Sequence, residues 1–72
     1  MDEITRFEYD HPGCFVSRYV TDGPWYVASL GNFWRIVNVR TGKTKKVGRI
    51  GAKRVNYFHS AVEEAVRRNA VG

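Results

Sequence analysis

Three turn signatures in close succession limit what this chain can fold into. Asp22-Gly23-Pro24, Gly31-Asn32 and Thr41-Gly42 each combine glycine, free to take positive φ, with a second turn-forming residue. A fourth, Asp10-His11-Pro12-Gly13, lies upstream. Between them are runs rich in β-branched and aromatic residues, at residues 14–20, 25–30, 33–40 and 43–50, too short for separate helices. Strands joined by turns this tight pair only as antiparallel neighbours, so the middle of the chain reads as a meander.

The pattern changes after residue 50. Ser60-Ala61-Val62-Glu63 fits a capping box and predicts a helix over residues 61–70 with Ser60 as N-cap. Glu63 and Glu64 then fall in its first turn and Arg67 and Arg68 in its last, which suits the helix dipole. Val62, Ala65, Val66 and Asn69 make a narrow, mostly apolar stripe. So short a helix is not stable alone and must dock. The expected fold is α+β: a three- to four-stranded antiparallel β-meander with one C-terminal α-helix packed on one face, the other face open. Residues 1–9 are expected to be a flexible acidic segment, and residues 10–72 a single domain. In the third run Phe33, Arg35, Val37 and Val39 share one face and Trp34, Ile36, Asn38 and Arg40 the other. Both faces carry an aromatic, so alternation leaves the core face undecided.

A chain of 72 residues makes one small domain. At this size about 60% of the unfolded surface is buried, too little to wall a deep pocket. The single cysteine excludes an internal disulfide framework. No apolar run approaches the roughly 20 residues of a membrane helix. The acidic start does not read as a secretion signal, so a reducing cytoplasm is the expected location.

Charge is distributed unevenly. Residues 1–24 hold Asp2, Glu3, Glu8, Asp10 and Asp22 against Arg6 and Arg18. Residues 25–58 hold Arg35, Arg40, Lys43, Lys45, Lys46, Arg49, Lys53 and Arg54 with no acid. That segment alone exceeds the net charge of +5, and such a local field attracts polyanions. A twisted β-ribbon fits the major groove of DNA, where Arg and Lys reach guanine edges and phosphates; a charged edge hairpin also serves simply to prevent edge-to-edge pairing.

Phe33-Trp34, Arg40-Thr41-Gly42-Lys43, Val47-Gly48-Arg49 and a helix with Glu64-Ala65-Val66 and Asn69 together resemble the small sheet-plus-helix arm-site DNA-binding domains of phage integrases. The plant ethylene-response DNA-binding domain is similar in outline. The resemblance spans residues 33–69, and leaves residues 10–24 uncovered. It implies duplex DNA as partner, with Arg35, Arg40, Lys43, Lys45 and Arg49 as readers and Trp34 exposed among them. Lys46, Lys53 and Arg54 join them as candidate nucleic-acid contacts on charge. In size and charge separation the chain also resembles small phage proteins that dock on host RNA polymerase and alter transcription; on that reading the basic surface meets an acidic protein patch in the host cytoplasm. A third reading has Trp25, Tyr26, Phe33 and Trp34 stack the bases of a single strand, against the simpler role of filling a small core.

The remaining chemistry is sparse. Lys53 and Arg54 precede the helix, but Glu63 and Glu64 in its first turn would repel a phosphate there. Tyr57 and Phe58 read as core plugs. His11-x2-Cys14, even with His59, falls short of the four ligands of structural zinc. Cys14 lacks an orienting group for nucleophilic catalysis and reads as a small buried strand residue. With no Gly-rich phosphate loop and no triad elements, the expectation is a non-enzymatic protein with no cofactor, metal, membrane or small-molecule substrate.

Overall fold

The computed structural model describes residues 2–71. The Asp2 carboxylate accepts the Thr5 N–H at 2.7 Å and caps helix α1 (Glu3–Asp10). That hydrogen bond to the charged form holds the Asp2 carboxyl below its ordinary value. Ile4 and Phe7, one turn apart, face inward; Phe7 is buried, and the His11 ring stacks on it at 4.0 Å. The acidic segment expected to be flexible over residues 1–9 is therefore a docked helix from Glu3 onward.

Four strands follow, β1 (Cys14–Val16), β2 (Trp25–Leu30), β3 (Phe33–Asn38) and β4 (Thr44–Arg49). They form one antiparallel sheet in the order β1-β2-β3-β4, the expected meander. Leu30 pairs with Phe33 across the two-residue Gly31-Asn32 turn. Gly31 has φ of 60° and Asn32 stays at negative φ, as a type II′ hairpin requires. β3 stops at Asn38 rather than residue 40, because the Asn38 Oδ1 accepts the N–H groups of Arg40 and Thr41 at 2.9 and 3.1 Å and bends the chain. β1 is also shorter than expected. After the Ser17 N–H donates to the Val27 carbonyl at 2.7 Å the chain leaves the sheet. Thr21 is buried farther on, its hydroxyl donating to the Trp25 carbonyl.

Helix α2 (Tyr57–Val71) begins a full turn before the predicted start. Asn56 is its cap, with Oδ1 accepting the Phe58 N–H at 3.1 Å, and Ser60 lies inside the helix. Packing decides this. The Tyr57 ring lies against the β4 backbone at Gly48, where any Cβ would overlap it, and Phe58 meets Trp34 at 5.0 Å between centroids. Both contacts need residues 57 and 58 to be helical. Ala61 and Ala65, fully buried, let the helix approach Val27 and Ile36 closely. Val66, expected in the apolar stripe, is 43% exposed. Asn69 is polar glue instead: its Oδ1 accepts the Trp25 N–H at 2.9 Å, and its Nδ2 donates to the carbonyls of Thr21 and Trp25.

The sheet carries apolar clusters on both faces. Val27 and Ile36 meet Ala61 and Ala65 of α2 on one face, with Trp25 and Trp34 half-buried beside them. On the other face Cys14, Val16, Ala28 and Val37 cluster with Phe7 of α1. The face expected to be open is thus half covered, and what stays open on that side is the β3–β4 hairpin.

Candidate nucleic-acid interface

Register assigns each candidate residue to a face. Val37 belongs to the cluster under α1, so Phe33 and Arg35, at alternate positions of β3, share its face. Across the ladder Arg35 pairs with Lys46 and Phe33 with Arg49. Strict alternation along β4 would put Lys46 and Arg49 on opposite faces. A β-bulge at Val47 prevents this: Trp34 pairs with Gly48 and Arg35 with Lys46, leaving Val47 extra. Val47 and Gly48 then both face α2, and Arg49 returns to the side of Lys46. A glycine inside a strand is the sequence signal of such a bulge, and it was there to be read at Gly48.

The result is a three-cation surface, Arg35, Lys46 and Arg49, on the sheet face opposite α2. The Lys46 Nζ lies 4.6 Å from the Phe33 ring centroid, a cation–π contact that seats the lysine. Thr44 is exposed on this face and was missed by sequence reasoning, since its place depends on the register.

Arg35 is half-buried, its Nε enclosed without a partner, and no acceptor among the described residues hydrogen-bonds its guanidinium. Burial pushes the Cys14 thiol above its ordinary value of 9.0, and the Arg35 charge offsets this only in part.

The other candidates divide. Lys43 sits in the β3–β4 turn. Arg40 is on the rim, its Nε 3.2 Å from Glu3 Oε2, an exposed pair that a competing anion displaces at small cost. Lys45 is on the α2 side, 3.7 Å from Glu64, which also binds Arg67 and Arg68. Lys53 and Arg54 border a shallow groove formed by the β4–α2 connection, with Trp34 and Tyr57 along it. Trp34 is half-buried against Phe58 on the α2 side, away from the surface on which it was expected. With α2 starting at Tyr57, its first turn contains no acid, so the expected repulsion by Glu63 and Glu64 is absent there. Arg35, Lys43, Lys46, Arg49, Lys53 and Arg54 have no ion-pair partner among the described residues, whereas every described cation outside residues 25–58 does. Among those residues no three His, Cys, Asp or Glu side chains gather as a metal site, and no helix is long and apolar enough to cross a membrane.

Comparison with protein-family models, curated proteins and solved structures finds no match to this chain.

Proposed function

We propose that this protein is a non-enzymatic regulator that binds duplex DNA through the β3–β4 face, with Arg35, Lys46 and Arg49 at its centre and Lys43 at its rim. The observation that carries this reading is Arg35. A half-buried guanidinium with an enclosed, unpartnered Nε is a cost to the fold. Two further unpaired cations beside it raise that cost, and a ligand rich in acceptor oxygens offsets it. A two-stranded ribbon with cations on one face matches the width of the major groove, and the twist of the hairpin follows the groove's curvature.

The test is titration of a fluorescent duplex at several salt concentrations. With three to five phosphates neutralised, log K against log salt falls with a slope of about −3 to −5. The Lys46→Ala/Arg49→Ala double variant lowers the magnitude of that slope by about 2. Salt-insensitive binding, or a double variant that binds like the parent, refutes the reading.

A further inference from the structure

The sheet has two edges, and the molecule treats them differently. At β1 the outward Val16 N–H is taken by the Glu8 carboxylate at 2.8 Å, which closes that edge. At β4 there is no such cover. The phase of the ladder is fixed at both ends: Asn38 N–H donates to the Lys43 carbonyl and Ile50 N–H to the Asn32 carbonyl, each at 2.8 Å. Antiparallel pairs alternate between bonded and non-bonded positions. The pairs Val37–Thr44, Arg35–Lys46 and Phe33–Arg49 are therefore the non-bonded ones. The backbone groups of Thr44, Lys46 and Arg49 point away from β3. Among the described residues no side chain or loop hydrogen-bonds them. Each of these three residues is exposed.

We infer that the outer edge of β4 is a docking strand for an extended acidic polypeptide segment, which adds to the sheet as a fifth strand. The edge shares Lys46 and Arg49 with the DNA reading above but adds the free backbone groups of β4, and its test does not depend on that reading. Charge selects the occupant. A second copy of this chain pairing β4 to β4 would bring Lys45, Lys46 and Arg49 against their own counterparts, and like charges across a ladder are destabilising. A strand with a carboxylate at every second position meets Lys46 and Arg49 on one face, while its backbone takes up the free N–H and C=O groups. Edge lysines thus reject self-association and admit an acidic partner.

The probe is an N-acetylated, C-amidated peptide of about seven residues alternating Glu with Val, near the usual strand length. Two further versions are N-methylated on one or the other alternate set of backbone nitrogens. Strand addition uses one set and leaves the other in solvent. The expected result is binding by the parent peptide below about 1 mM, retained in one methylated frame and weakened at least about tenfold in the other. Amide exchange at Thr44, Lys46 and Arg49 slows in step. Equal binding by both frames reduces the contact to charge alone and overturns the inference, as does no binding at that concentration. Protection of the same amides by a short DNA duplex but not by the peptide assigns the edge to nucleic acid and equally overturns it.

Discussion

Replacing Arg35 by Met separates a functional cation from a structural one. Arg35 sits between Ala28 and Lys46 in the sheet, and methionine keeps most of the apolar length of its stem. What is lost is the guanidinium, whose Nε is enclosed without an acceptor. An unsatisfied buried polar group costs about 1–3 kcal/mol. Relief of the like charge at Lys46, directly across the ladder, adds roughly 0.2–1 kcal/mol. Arg35→Met is therefore expected to stabilise the fold by about 1–4 kcal/mol, and for a domain of this size each 1 kcal/mol raises Tm by roughly 4–8 °C. Thermal and urea unfolding followed by far-UV circular dichroism measure it, at low salt where the repulsion is least screened. DNA affinity falls at the same time by about tenfold or more, the usual loss for one arginine contact. A stability loss above about 1 kcal/mol would show that the guanidinium finds its acceptor within the fold, and the argument for an external anion would collapse. Unchanged DNA affinity would remove Arg35 from the interface whatever its effect on stability.

Three other substitutions probe the scaffold. Asn69→Ala breaks the three hydrogen bonds that fasten α2 to Thr21 and Trp25, a loss of about 2–4 kcal/mol at roughly 1 kcal/mol each; a change under about 0.5 kcal/mol in urea unfolding contradicts the role given to it. Asn56→Ala costs about 1 kcal/mol as an N-cap loss, whereas Ser60→Ala, inside the helix, is neutral or slightly stabilising; the reverse order of melting temperatures would restore the later helix start. Gly48→Ala drives a Cβ into the Tyr57 ring and destabilises by about 1–3 kcal/mol, with loss of ring-current shifts at β4 in the proton spectrum; retained shifts and full stability mean the ring is not where the structure puts it.

Local chemistry made the meander readable. Gly31-Asn32 sets its own turn, and tight turns impose antiparallel order on the strands they join. The start of α2 was misread because two caps compete. Ser60 with Glu63 satisfies the capping box, but Asn56 wins, since only a helix begun there places Tyr57 over Gly48 and Phe58 over Trp34. Those contacts are tertiary and leave no local trace. α1 left a faint one: Asp2 three residues before Thr5, with Ile4 and Phe7 one turn apart, was obscured by the acidity of the segment. The candidate surface was legible as charge but not as geometry. Eight cations in an acid-free stretch are plain in the sequence, yet the bulge at Val47 decides that Lys46 and Arg49 join Arg35, while Lys45 turns away to Glu64.

The attachment of α1 has a consequence for the molecule's energetics. Phe7 is that helix's one buried side chain, and the neighbouring strand is three residues long. The body of β2, β3, β4 and α2 is held by Val27, Ile36, Ala61, Ala65 and the Asn69 clasp. Segments with few buried contacts open at lower free energy than the global transition. The segment of α1 and β1 is therefore expected to open first, its amide protons exchanging ahead of the rest in native-state hydrogen exchange. Opening of this segment separates Glu3 from Arg40 and bares the apolar strip of sheet at Ala28 and Val37.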